Sequence, residues 1–264
     1  MSFGPLILGA TGNVGQALRR VPADCWNGVP IWQSRKPLAD HYHWDILNAA
    51  APDIGCNGIV MLAGAADDDA AIHIGLAKKA ATLGARLGVR VLIASTQAVY
   101  GPLAGRLSED TPCQPASEYG AAKLAMEQAV AGQEHVTCMR IGNIVGTDML
   151  GRAVTRGDVV LDRLPNGHAP ERAMIGPVTF ARVLTGLISC ADRLPQTLNV
   201  AQPGMVAMDD ILAAADVPWV WRTAPDTVLP ILDLNVSALG RITDVPTADP
   251  VALVEEARFT GWLA

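Results

Sequence analysis

The stretch LILGATGNVGQAL, residues 6–18, decides the fold. Leu6–Leu8 read as a short buried strand, and Gly9, Gly12 and Gly15 then recur every third residue into a helix expected over about 13–21. Glycine at such a strand–helix junction allows a tight turn and a close approach of backbone to a pyrophosphate. The phosphates then rest on free N–H groups at the positive end of the helix. The spacing is GxxGxxG rather than the standard GxGxxG, but its place at the first strand–helix junction points to a dinucleotide.

Outward from this loop, short apolar runs alternate with alanine-rich stretches. Strands are expected at Leu6–Leu8, Val29–Gln33, Gly58–Leu62, Val89–Ala94, Val136–Ile141 and Thr197–Val200. Further helices are expected at about 70–87, 118–132, 177–191 and 208–215. Several strands are continuously apolar, as when helices cover both sheet faces. The pattern predicts an α/β chain with a Rossmann-type, doubly wound parallel sheet. From about 148 the periodicity weakens and turn formers accumulate. We therefore expect a Rossmann domain over 1–147 and 176–203, and a small C-terminal substrate-binding lobe over 148–175 and 204–264.

At 264 residues and 50% apolar content the chain can bury a large core. A net charge of −6 argues against a nucleic-acid surface or a polybasic membrane contact. No apolar run approaches the ~18 residues of a membrane span. Five scattered cysteines without a CxxC suit free thiols in a reducing compartment, so a soluble, cytoplasmic protein is expected. Where an acid for the ribose 2′-OH is expected, IWQSRKP (31–37) has Gln33 and Ser34, followed by Arg35 and Lys36. Two cations and no carboxylate favour a 2′-phosphate, hence NADP(H), with NAD(H) the alternative.

In SEYGAAKLA (117–125), Tyr119 and Lys123 stand four apart. On a helix they share a face. Tyrosine is a poor base at neutral pH, and a neighbouring ammonium would stabilise its phenolate. Upstream, an apolar strand ends in Ser95 and Thr96, where open α/β sheets bind ligands and a hydroxyl can bond a reacting oxygen.

GATGNVG, LAG (62–64), ASTQAVYG, SEDTPCQPASEYGAAK and RIGNIVG (140–146), in that order, resemble the extended short-chain dehydrogenase/reductase superfamily, in its NAD-dependent epimerase/dehydratase-like branch. The resemblance is clear over about 4–146. ERAMIGPVTFARVL and TLNVAQPG carry it more weakly to about 204. It implies that Tyr119 is the acid/base, that Lys123 holds the nicotinamide ribose and tunes Tyr119, and that Thr96 orients the substrate oxygen. Gly9, Thr11, Gly12, Asn13, Val14 and Gly15 would wrap the pyrophosphate. Asp45 and Ile46 would flank adenine, Leu62, Ala63 and Gly64 would line the ribose, and Asn143 and Arg172 would contact substrate.

Departures narrow the chemistry. Relatives that dehydrate sugar nucleotides place Asp-Glu after the catalytic Thr; Gln97-Ala98 here cannot move protons. No cysteine follows Thr96 for enolate epimerisation, and Ile72 or His73 replaces an Asn common in the family. The expectation is an NADP(H)-dependent oxidoreductase interconverting a hydroxyl and a ketone, with a sugar or nucleotide-sugar among the candidates. A cofactor-retaining epimerase and an NADP(H)-binding redox sensor are the alternatives. The short lobe weighs mildly against a large nucleotide-sugar site.

Among weaker signals, His41, His43 and Asp45 alternate too closely to close a metal site, and none is expected. Asp67-Asp68-Asp69 suits a helix N-terminus. Trp219 and Trp221, with the other four Trp, are expected to pack the small lobe. Helices 70–87 and 118–132 could pair across a homodimer two-fold or pack within the chain. The partner expected is a small-molecule substrate, not nucleic acid or membrane.

Overall fold

The computed structural model describes residues 3–64, 69–103, 105–190 and 192–263. Its central sheet has seven parallel strands. Edge to edge they are Thr197–Val200, Val136–Ile141, Val91–Thr96, Ile59–Met61, Phe3–Leu8, Val29–Ser34 and Tyr42–His43. Strand order reverses between Phe3–Leu8 and Ile59–Met61, which opens a crevice at their carboxyl ends.

Alternation along each strand splits the core into two layers. Ile7, Val60, Leu92 and Met139 face the layer that holds Phe180, Leu184 and Leu187 of the helix Pro177–Ser189. Leu6, Leu8, Ile59, Met61 and Ile93 face the other, with Leu76, Ala80 and Leu83 of the helix Ala70–Leu87 and Met126 of the helix Glu118–Ala129. Both faces are covered, so these strands carry apolar residues at successive positions rather than alternating ones.

The helices stop where local chemistry says they should. Asp69 caps Ala70–Leu87 by accepting from Ala71 N–H at 2.8 Å, and Gly88 ends it in the left-handed region at φ +66°. Asp67 and Asp68 lie outside the described residues. Ser117 caps Glu118–Ala129 by accepting from Gly120 N–H at 3.1 Å.

Beyond the central sheet, a five-stranded sheet joins Met205–Ala207, Glu171–Ile175, Ile231–Leu234 and Arg106–Leu107, with Asn143–Ile144 alongside Glu171–Ile175. Val160–Arg163 and Val220–Thr223 form a parallel ribbon. A third core gathers Val145, Leu150, Val154, Leu161, Ile211, Leu253 and Trp262. The segment past 148 is more ordered than its composition suggests. Asp148 and Gly157 bound a helix over Met149–Arg156, and Asp249 with Pro250 starts another over Pro250–Phe259.

Tryptophan is divided differently from expectation. Trp219 and Trp221 meet edge-to-face at 5.7 Å and pack the lobe with Trp262. Trp26 and Trp32 pair at 5.9 Å beside the central sheet, and Trp44 joins its other layer. The helices Ala70–Leu87 and Glu118–Ala129 pack on each other within the chain. No described helix is long and apolar enough to cross a membrane.

Candidate active site

The glycine loop is shaped by three different constraints. Gly9 has φ +89°, and a Cβ there would lie 2.6 Å from the Ala63 nitrogen, so the loop sits directly on the Leu62–Gly64 turn. A Cβ on Gly15 would strike Gly9 O at 2.6 Å. Gly12 differs: its Cβ would meet only Gly9 O, at 3.5 Å. Among the described residues nothing demands glycine at 12, which leaves open space at the lip of the cradle with Thr11 and Asn13 exposed beside it. The loop therefore fits a closely approaching phosphate, as a bound dinucleotide requires.

Gln33 secures the loop from behind. It is 2% exposed, its Oε1 accepts from Gly9 N–H at 2.9 Å, and its Nε2 donates to Trp44 O. Arg35 and Lys36 follow it on the exposed tip. A hydrogen bond from the Asn48 side chain holds the Asp45 carboxyl below its ordinary range, and the nearby Arg35 charge adds to this. Ile46 is 5% exposed and packs into the core layer with Trp44 and Leu76.

At the other end of the crevice, two contacts tie the helix of Tyr119 to the strand of Thr96 and the turn that follows it. Lys123, 5% exposed, donates through Nζ to Ala94 O at 2.9 Å. Gly120 presses on the turn after Thr96 so closely that a Cβ would lie 2.7 Å from Ala98 O. Lys123 Nζ also lies 5.9 Å from the Tyr119 ring centroid, and Tyr119 remains 38% exposed. An accessible phenol above a buried ammonium can exchange a proton with a bound alcohol or ketone. Thr96 ends its strand, and its Oγ1 accepts from Ala98 N–H at 3.2 Å. The His73 ring packs under the Leu62–Gly64 turn, 2.9 Å from where a Gly64 Cβ would stand.

Asn143 belongs to a chain of polar contacts. Gln97 Nε2 donates to Asn143 Oδ1 at 2.7 Å, and Asn143 Nδ2 donates to Asp148 Oδ2 at 2.9 Å. Burial pushes the Asp148 carboxyl up, while donors from Gly151 and Asn143 work against the rise. Arg172 is on the adjacent strand, two residues from Met174, the partner of Asn143. Its Nη1 donates to the backbone oxygens of Glu171 and Leu229, and burial lowers its pKa against the pull of Asp162.

A buried network behind this site escapes sequence reasoning. Glu127, one turn beyond Lys123, accepts from Ser95 Oγ at 2.5 Å and from Arg140 Nη2 at 2.8 Å. Arg140 Nη1 reaches the Tyr100 hydroxyl at 3.1 Å, which donates to Asn199 Oδ1 at 2.7 Å. Burial opposes the Arg140 charge, and the Glu127 carboxylate more than restores it, so its pKa is raised. The Cys138 thiol, buried in the same strand, is pushed up to about 12 and is chemically quiet.

The NAD dependent epimerase/dehydratase family model matches residues 5–163, from the first strand through the helix Glu118–Ala129 and beyond. The chain belongs to this family. It is an enzyme of the extended short-chain dehydrogenase/reductase type, on a Rossmann-type sheet. No curated protein sequence matches this family member. Among solved structures, MoeE5 in complex with UDP-glucuronic acid and NAD is 18% identical, with TM-score 0.76 over 97% of this chain and 98% of that one. UDP-glucuronic acid 4-epimerase from Bacillus cereus, with UDP-glucuronic acid and NAD, is 14% identical, with TM-score 0.75 over 98% and 99%. UDP-glucose 4-epimerase from Bifidobacterium longum, with NAD+ and UDP, is 13% identical, with TM-score 0.74 over 97% of both chains. This family enzyme thus spans nearly the whole length of those three solved chains.

Proposed function

We propose that the enzyme is an NADP(H)-dependent oxidoreductase that interconverts a hydroxyl and a ketone on a nucleotide-sugar. The observation that carries this reading is the pinned helix. Lys123 and Gly120 fix the Tyr119 helix against the strand ending at Thr96, at the mouth of the glycine-loop crevice. The bound dinucleotide would supply or accept the hydride. Gly9, Thr11, Gly12, Asn13, Val14 and Gly15 would hold its pyrophosphate, Asp45 and Ile46 its adenine, and Leu62, Ala63 and Gly64 its ribose. Thr96 Oγ1 would bond the substrate oxygen, and Tyr119 would give or take its proton, with the Lys123 ammonium stabilising the phenolate. Asn143 and Arg172 would face the sugar-nucleotide from the lobe built of 148–175 and 204–264, against the dinucleotide domain of 1–147 and 176–203. Five unpaired cysteines suit a reducing cytoplasm.

Gln97-Ala98 carries no acid, so dehydration is excluded from the proposal. A cofactor-retaining epimerase is the second reading, favoured by the two solved 4-epimerases that share the fold. Reduced cofactor measured alongside product, with UDP-glucose and UDP-glucuronic acid as the first substrates tried, separates the two. Net oxidoreduction gives cofactor and product in equal amounts. Product without a net absorbance change establishes the epimerase instead. A redox sensor would have no use for the retained Tyr119–Lys123 pair. A cofactor-dependent change in affinity for a protein partner, with no turnover, would restore that third reading.

Cofactor choice is a separate expectation. NADPH should bind more tightly than NADH through charge-assisted bonds from Arg35 and Lys36, and Arg35→Asp should erase or reverse the preference. Fluorescence titration with both reduced cofactors checks this. Equal affinities in the unmodified protein would rule it out.

A further inference from the structure

Asn13, Gln16, Ala17 and Arg20 stand three and four residues apart, so they form one stripe along the first helix, Asn13–Leu18, and the turn after it. That stripe is one wall of a cavity of about 720 Å³. The lobe helix Met149–Arg156 forms the other and brings Arg152 and Arg156, one helical turn apart. The turn at 260–263 completes the lining. Three guanidinium groups thus meet where the described lining residues include no carboxylate, in a chain of net charge −6. Thr96, Tyr119, Lys123, Asn143 and Arg172 take no part in this lining.

Each arginine is held in a different way. Arg20 Nη1 donates to Thr260 O at 3.0 Å, and residue 261 is glycine where a Cβ would strike the same guanidinium. That bond leaves its other N–H donors for a ligand. Arg156 pairs with Asp158 at 3.2 Å, but both side chains are exposed and such pairs contribute little. Arg152 forms no ion pair among the described residues, although its charge acts on the buried Asp148 carboxyl. The lobe helix itself is firmly seated, since a Cβ on Gly151 would lie 2.5 Å from Gly146 O. Like charges gathered on seated elements repel one another, and an anion between them relieves the repulsion.

We infer that this cavity is an anion site apart from the catalytic centre, taking a diphosphate or longer polyphosphate group on Arg20, Arg152 and Arg156. Guanidinium forks match phosphate oxygens, and three of them suit a ligand with more than one phosphate. Asn13, Gln16 and Thr147 offer neutral donors beside them. Such a ligand bridges the first helix and the lobe helix. Its occupancy therefore braces the lobe against the element that opens the dinucleotide cradle. The inference goes beyond the proposed oxidoreductase and does not depend on which dinucleotide or sugar that enzyme uses.

The test is calorimetric titration of the full chain with inorganic pyrophosphate, alone and with saturating NADPH or NADH. Pyrophosphate should bind in both states, with an affinity that falls as salt rises. Replacing Arg152→Gln and Arg156→Gln together should weaken it roughly tenfold or more and leave dinucleotide affinity unchanged. Both side chains are exposed, so the double variant should fold. Arg193→Gln, at an exposed arginine paired with Glu134 elsewhere, should change nothing. Adenosine diphosphate, titrated with the dinucleotide site filled, distinguishes the source of the phosphates. Binding tighter than pyrophosphate and lost in the double variant identifies a nucleotide ligand, and weaker binding identifies an inorganic one. Displacement of pyrophosphate by dinucleotide would place it in the cofactor cradle and overturn the inference. No binding at millimolar pyrophosphate, undiminished affinity in the double variant, or an equal loss in Arg193→Gln would overturn it as well.

Discussion

Tyr119→Phe is expected to lower turnover by about 10²–10⁴-fold while leaving NADPH affinity nearly unchanged. The substitution removes one hydroxyl from a side chain that is 38% exposed, so the fold should change little. The cofactor is expected to rest on the glycine loop and on Lys123, which keeps its bond to Ala94 O in the variant. What disappears is the proton donor and acceptor above that ammonium. Lys123→Ala should damage both properties, because the ammonium is assigned to the ribose and to the phenolate. Steady-state kinetics beside a fluorescence titration separate the two effects. Full-rate turnover by Tyr119→Phe on a genuine substrate would overturn the mechanism.

The largest stability effect is expected at Glu127. Its carboxylate and the Arg140 guanidinium meet at 2.8 Å with side chains 5% and 7% exposed. Replacing such a pair as a unit can be nearly neutral, but removing one partner leaves the other charge buried without compensation. Glu127→Leu should therefore cost about 3–5 kcal/mol, read as a lower denaturant midpoint. The loss extends beyond one ion pair, because Ser95 Oγ donates to the same carboxylate and Arg140 also reaches Tyr100. Glu127→Gln retains an acceptor and should cost less. Activity should fall with stability, since Glu127 holds the helix of Tyr119 and Lys123 against the strand that ends at Thr96. An unchanged midpoint in Glu127→Leu would show that the network does not stabilise the fold.

Sequence reasoning reached the central sheet because its signals are local. Leu6–Leu8 and Ile59–Met61 are buried on both faces and therefore read as plain apolar runs. The strand Tyr42–His43 gave no such signal, being two exposed residues that join the edge only through Gln33 and Ser34. The helix Met149–Arg156 has a sound Asp cap and a left-handed glycine at its end, yet Gly151 and two arginines obscure its apolar face. Leu150 and Val154 become a face only once Leu253 and Trp262 arrive from distant sequence. At the site, Tyr119 and Lys123 were legible because four residues make one helical turn. Glu127 with Arg140 was not, since nothing local brings those partners together. Gln33 was noticed only as a missing acid, when its side chain was already engaged with the loop.

That engagement constrains how the proposed NADP(H) preference could be turned toward NAD(H). The amide of Gln33 offers one acceptor to Gly9 N–H and one donor to Trp44 O. A carboxylate at 33 would still serve Gly9 but would have nothing to donate, and the Trp44 oxygen would be left facing a negative charge. The simplest genetic step toward NAD(H), planting an acid at the end of the second strand, would loosen the loop it was meant to serve. Any such drift must begin instead in the exposed turn at 35–41, where residues can be exchanged without disturbing the glycine cradle.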